Sequence, residues 1–286
     1  MFTLNCKGRL LVVDKPLIMG IINLTPDSFY AGSRFDKTDD VLYRVEIMLK
    51  EGADIIDIGA QSTRPGSERI TGGDELKRLM PSLEAIVKRF PDAVISIDTY
   101  MAEVAKAAVQ AGAGIINDVS GGTMDSEIIQ IAATFKVPYV LSHIQGEPGT
   151  MQKKPAYNNV VVEILDYFIF RTATLKKAGI HDIIIDPGFG FGKTIEHNFQ
   201  ILKDLSLFRI TGFPILCGLS RKSTVYKTLG ISAEESLNGT TVLNTIALLN
   251  AANLLRVHDV REARETLTLY QRYSEVNHAA EMISSY

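Results

Sequence analysis

Tryptophan is absent, cysteine occurs twice, and neither sign of charge dominates: 30 Lys and Arg stand against 33 Asp and Glu, a formal net charge of −3. Each shortage closes off a class of protein. Cys6 and Cys217 lie far apart, the second inside an apolar run, so neither a disulfide framework nor a thiolate metal site is indicated and a reducing cytoplasm fits. Lacking a basic surplus, the chain has no clustered positive field for a phosphate backbone, which argues against a nucleic-acid partner. Any anionic ligand must be met by local charges. Uninterrupted apolar runs of membrane-spanning length are also missing: Leu10 to Ile22 is broken by Asp14, Lys15 and Pro16, so it is neither a signal segment nor a membrane anchor. No Pro/Ser-rich linker, charge block or low-complexity stretch divides the 286 residues, which read as a single domain over 1–286.

What is present is a repeated unit: a short β-branched run, a polar or glycine-containing loop, and a longer amphipathic segment. The strand candidates are Leu17 to Asn23, Asp54 to Gly59, Ala93 to Asp98, Gly114 to Asn117, Pro138 to His143, Asp182 to Asp186, Pro214 to Leu219 and Asn253 to His258. Between them lie helix candidates including Thr38 to Gly52, Asp74 to Phe90, Met101 to Ala111, Asp125 to Phe135, Val160 to Ala178 and Ser236 to Ala252, several closed by glycine or proline. The alternation predicts one closed (β/α)8 TIM barrel, with an open doubly wound sheet as the alternative. Ahead of it, Phe2 to Val13 reads as a β-hairpin that could plug the barrel floor.

The segment IIIDPGFGFGK, Ile183 to Lys193, looks like a buried parallel strand ending in a functional loop at Asp186. It is not a P-loop, because Pro187 stands where that motif needs glycine, nor a dinucleotide fingerprint, because Lys193 stands where the third glycine belongs. A carboxylate at such a strand end needs a partner, since leaving it unpaired in apolar surroundings costs several kcal/mol, on the order of its desolvation penalty. Polar residues end the other strands too: Asn23, Ser62-Thr63-Arg64, Asp98, Asn117, His143, Ser220-Arg221-Lys222-Ser223, and Arg256 with His258. In a barrel all of them face the C-terminal rim. Asp98, Asn117 and Asp186 suit a heterocycle bearing several N–H donors, whereas Thr63, Arg64, Lys222, Arg256 and His258, with Asn23, suit an anion and its metal.

The chain resembles the dihydropteroate synthase family, from MGIINLTPDSF (Met19 to Phe29) through IIDIGAQSTRPGS (Ile55 to Ser67), SIDTY (Ser96 to Tyr100), IINDVSGG (Ile115 to Gly122), DPGFGFGK (Asp186 to Lys193), SRKS (Ser220 to Ser223) and RVHDV (Arg256 to Val260). The resemblance implies a Mg²⁺-dependent condensation of 6-hydroxymethyl-7,8-dihydropterin diphosphate with 4-aminobenzoate, sensitivity to sulfonamides, and a cytoplasmic homodimer. It places Asp98, Asn117, Asp186 and Lys222 on the pterin, Arg256 and Phe191 over its faces, and Asn23, Thr63, Arg256 and His258 on the diphosphate and its metal, with Asn23 as the protein ligand. Asp98, Asp186 and Lys222 then act electrostatically, and no residue is a general base. Phe29, Arg64, Pro65 and Ser223 are implied for 4-aminobenzoate and loop closure. Three departures stand out: Ala31 where the family commonly has Asp, Ser142 and Ile144 in place of two methionines, and Ala251 where a glycine is common, read as a helix-end packing difference. His143, alone among potential ligands, reads as a structural rim residue. The alternatives are a catalytically weak pterin-binding paralogue and a methyltetrahydrofolate-corrinoid methyltransferase of the same superfamily; the latter would not need Thr63-Arg64, SRKS and RVH.

Overall fold

Strands form where branched aliphatic residues run without interruption. The computed structural model describes residues 1–24, 37–61, 69–146, 151 and 155–276. Within them, β3 (Leu17–Asn23), β4 (Ile55–Gly59), β5 (Val94–Asp98), β6 (Ile115–Asp118), β7 (Tyr139–Ser142), β8 (Ile183–Asp186), β9 (Leu216–Cys217) and β10 (Leu254–Val257) make one parallel sheet in the order β8-β7-β6-β5-β4-β3-β10-β9. A further parallel bridge, Ile185 to Ile215, joins the two ends, so the sheet is a closed barrel and not an open one. Buried on both faces, these strands need apolar residues at successive positions, which is why they read as continuous runs.

The outer layer consists of α1 (Lys37–Glu51), α2 (Gly72–Arg89), α3 (Ala102–Ala111), α4 (Glu127–Phe135), α5 (Val160–Lys177), α6 (Ile195–Lys203), α7 (Ser223–Leu229), α8 (Leu237–Leu249) and α9 (Val260–Ser274). Several starts are written locally. Thr71 caps α2 through Asp74 N, Asn159 caps α5, and Thr194 with His197 forms a reciprocal capping box on α6. The ladder between helices and strands buries Val45, Ile58, Leu79, Ile97, Phe168 and Phe208 completely.

At the N-terminal mouth, β1 (Phe2–Cys6) pairs antiparallel with β2 (Arg9–Val13), and Leu4, Cys6 and Val13 pack on inward residues such as Met19, Ile55 and Ile184. The hairpin is therefore the plug expected from the sequence. Two expectations need correction. The strand read over Pro214 to Leu219 is only two residues long, because Pro214 has no N–H and the chain turns at Leu219, whose carbonyl accepts from Lys222 N at 3.3 Å. Ala251 is not merely a packing difference: it lies at φ +76°, in the left-handed region that favours glycine.

Candidate functional site at the C-terminal rim

Three linked groups of side chains gather where the strands end. In the first, Asp186 closes β8 and its Oδ1 accepts from Gly188 N at 2.8 Å, while Ser142 Oγ lies 3.5 Å from Oδ2. The turn that orients it requires glycine at 188: φ is +71°, and a Cβ would stand 2.0 Å from the His143 carbonyl oxygen. Lys193, buried, anchors the same loop from below. Its Nζ lies 3.0 Å from the carbonyls of Gly188 and Phe191, 3.2 Å from that of His143 and 3.0 Å from His143 Nδ1, so three ammonium hydrogens serve four acceptors. Burial brings Lys193 down to about 7, with Asp186 opposing. Burial, then Lys193, drives His143 down to about 3, leaving a neutral imidazole that supports the loop.

Lys222 faces Asp186 across the rim. Its Nζ donates to the Phe189 carbonyl and sits 4.4 Å above the Phe191 ring. Burial lowers it to about 8, against the pull of Asp186.

The second group is a charge network. Arg256 on β10 donates from Nε to Asp57 Oδ2 and from Nη2 to Asp98 Oδ2, both at 2.6 Å, and Asn117 Nδ2 donates to the same Asp57 oxygen at 3.1 Å. Burial pushes the Asp98 carboxyl up; Arg256 pulls it back, and Asp57 and Asp118 add to the rise. Burial weighs against the Arg256 charge, but Asp57 and Asp98 hold the guanidinium above its ordinary value. The arginine between two acids stays charged.

The third group is at β10 and the SRKS turn. Ser220 Oγ meets His258 Nδ1 at 2.9 Å and accepts from His258 N at 3.2 Å. Arg221 turns away from the cleft, at φ +54°, to grip Asp259 through Nε (2.9 Å) and Nη2 (2.7 Å). Ser223, half-buried, opens α7. Asn23, also half-buried, ends β3.

Thus Asp98, Asn117 and Arg256 share one network, Asp186, Phe191 and Lys222 another, and His258 a third. Phe29, Ala31, Thr63, Arg64 and Pro65 lie outside the described residues. Sequence reasoning overlooked Asp57 and the anchoring function of Lys193. The signal for Asp57 was an acid inside the otherwise aliphatic run Ile55-Ile56-Asp57-Ile58.

Among the described residues no group of three or more His, Cys, Asp or Glu could hold a metal. Asn23 offers one neutral amide oxygen. Such a donor set fits Mg²⁺ only where phosphate oxygens of a substrate complete the shell, an arrangement usual for this ion. No described helix is long and apolar enough to cross a membrane.

Residues 19–258 match the family model described as "Pterin binding enzyme". The dihydropteroate synthase of Escherichia coli (strain K12) is 38% identical over 270 residues, covering 94% of this chain and 95% of that protein. The structure of Xanthomonas albilineans dihydropteroate synthase with 4-aminobenzoic acid superposes with a TM-score of 0.90 at 37% identity, covering 96% of this chain and 99% of that one. A second structure from that organism, in complex with 7,8-dihydropteroate, gives 0.87 at 35% identity, over 96% and 100%.

Proposed function

The chain belongs to the dihydropteroate synthases within the pterin binding enzyme family, and from that premise we propose how its own residues perform the condensation. The protein is a transferase that joins 6-hydroxymethyl-7,8-dihydropterin diphosphate to 4-aminobenzoate, giving 7,8-dihydropteroate and diphosphate. The observation that carries the assignment of roles is the opposition of Asp186 to Lys222 beside the Arg256 network.

A pterin presents an amide-and-guanidine-like edge, so Asp186, already oriented by Gly188 N, accepts two parallel hydrogen bonds from N3–H and the 2-amino group. Lys222 donates to the carbonyl and neighbouring ring nitrogen, Asn117 reaches the far side of the edge, and Asp98 faces the other end of the ring. Phe191, under the Lys222 ammonium, supplies one wall, and Arg256 covers the other face. Asn23, Thr63, Arg256 and His258 take the diphosphate; Asn23 would also hold Mg²⁺, which when bound would supply charge neutralisation to it. Diphosphate leaves before attack, and the cationic pterin methylene is stabilised electrostatically by Asp98 and Asp186 in a water-poor site. The aniline nitrogen of 4-aminobenzoate is an unprotonated nucleophile at neutral pH, so no general base is assigned. Phe29, Arg64, Pro65 and Ser223 receive this second substrate, the subsite that sulfonamides occupy.

The test is diphosphate release by the purified protein with dihydropterin diphosphate and Mg²⁺, with and without 4-aminobenzoate. Release that requires 4-aminobenzoate, with dihydropteroate formed in equal amount, supports the reading; tight pterin binding without product supports the weak paralogue. Asp186→Ala abolishes detectable pterin binding, whereas Ser223→Ala mainly raises KM for 4-aminobenzoate, and equal effects on both substrates contradict this division. Assembly is proposed as a cytoplasmic homodimer: Leu267 is buried against the barrel, but Leu269, Tyr273 and Val276 are exposed. A one-chain mass in sedimentation at micromolar protein overturns it.

A further inference from the structure

Asp57 sits in the middle of β4, wholly buried, two residues short of the strand's end. Its Oδ2 accepts from Arg256 Nε at 2.6 Å and from Asn117 Nδ2 at 3.1 Å, and its Oδ1 is buried without a partner among the described residues. An orphan buried acceptor costs on the order of 1–3 kcal/mol, and an aliphatic residue there would continue the strand's own pattern without that cost. Stability alone gives no reason for an acid at this position. Its two contacts do: both lead to residues of the rim.

The Nε and Nη2 hydrogens lie along one edge of the guanidinium, and two different carboxylates divide that edge. Asp57 takes Nε and Asp98 takes Nη2. Nη1, on the other edge, has no hydrogen-bond partner among the described residues. If Asp98 were the sole anchor, its turning to a ring N–H would set the arginine loose. A second carboxylate behind it removes that coupling.

We propose that Asp57 is a positioning residue of the pterin site: it holds Arg256 by Nε and Asn117 by its amide at a fixed separation, so that Arg256 stays seated when Asp98 turns to the ring. This rests on the synthase reading. It adds a residue that acts through Arg256 and Asn117 without touching substrate.

Asp57→Asn keeps the shape and removes the charge. KM for dihydropterin diphosphate rises at least about tenfold while KM for 4-aminobenzoate stays within about twofold, a split that a general loss of stability does not produce. Asp98 is faced by Arg256, Asp57, Asp118 and Lys222; losing the like charge of Asp57 moves the acid limb of the pterin kcat/KM profile to lower pH. Added to Arg256→Gln, Asp57→Asn costs less than it does in the unaltered protein, because the part of its function that runs through that arginine is already lost and only the part through Asn117 remains. Unchanged pterin KM, an unmoved acid limb, or full additivity overturns the proposal. If Asp57→Asn does not fold, a structure of the unaltered protein with dihydropterin diphosphate decides: Arg256 Nε still on Asp57 with Nη2 parted from Asp98 supports it, and Arg256 withdrawn from Asp57 refutes it. Failure of the unaltered protein to make dihydropteroate rejects the synthase reading instead, and the binding split between the two substrates is then measured calorimetrically.

Discussion

Glu75 shows how a single buried group ties stability to pH. It lies in the first turn of α2, wholly buried, and among the described residues neither carboxylate oxygen has a partner of normal hydrogen-bond geometry, Thr99 being the weak contact nearest to one. Burial raises its carboxyl to about 7, with Thr99 opposing and Asp98 and Glu103 adding to the rise. The folded state therefore keeps a proton that the unfolded chain releases above its ordinary value of 4.5. More protons bound when folded means that stability falls as pH rises from 4.5 to about 7, and the loss is complete above that. Glu75→Gln cannot ionise. It is thus more stable than the unaltered protein at pH 8, by on the order of 2–3 kcal/mol, and nearly equal to it at pH 4.5. Urea midpoints at the two pH values check this; an equal offset at both contradicts it. Asp57 belongs to the same scale. The partner of this acid, Arg256, is 199 positions away in the chain, so no local window of sequence could have shown the pair.

At the level of elements, most strand ends were legible because parallel strands buried on both faces stay mainly apolar until the rim, so a polar residue closing an apolar run marks the exit, Asp57 in β4 and Ser96 in β5 being polar before it. Asp98, Asn117 and Asp186 each stand at or next to such an exit, and Arg256 and His258 flank the end of β10. β9 was misjudged in length because hydrophobicity persists through Leu219 while the hydrogen-bond ladder does not. Lys193 was legible only as a failed P-loop lysine: that its chain folds back under the loop depends on His143, just past the end of β7. The end of α8 is where sequence and backbone disagree. Ala251 adopts φ +76°, and its N–H still bonds to the Leu248 carbonyl at 3.1 Å, so the turn is formed against the preference of the residue. Ala251→Gly relieves the Cβ clash, worth about 1–2 kcal/mol, and gives back part of it in unfolded-chain entropy, about 0.5–1 kcal/mol. A net gain of roughly 0.5–1 kcal/mol follows, seen as a higher thermal midpoint at unchanged kcat; a lower midpoint would show that a packing contact of the methyl outweighs the strain.

At the scale of the whole molecule, the barrel separates what holds it together from what it does. Asp98, Asp186 and Lys222 crowd one mouth, and the β1–β2 hairpin fills the other with Leu4, Cys6 and Val13. In between lies a layer of inward aliphatic side chains, Met19, Ile55, Ile184 and Leu254 among them, close-packed as barrel interiors are. The hairpin is also tied at its edges, by Asn5 N to Asp182 Oδ2 at 2.8 Å and by Lys7 Nζ to the Val109 carbonyl at 2.6 Å, so it is held even where a core contact is lost. Leu4→Ala therefore leaves a cavity under Met19 and Ile184 instead of releasing the plug. Such a truncation costs about 2–5 kcal/mol in a well-packed core, with the tethers limiting relaxation and pointing to the upper half of that range. Because no rim side chain bonds to Leu4 and the layer of Met19, Ile55 and Ile184 stands between, KM for both substrates and kcat at 25 °C stay within about twofold of the unaltered enzyme, while the urea midpoint falls. A Leu4→Ala protein of normal stability and altered KM would mean that the floor and the rim are coupled through the strands, and that the separation argued from the barrel's layers is wrong.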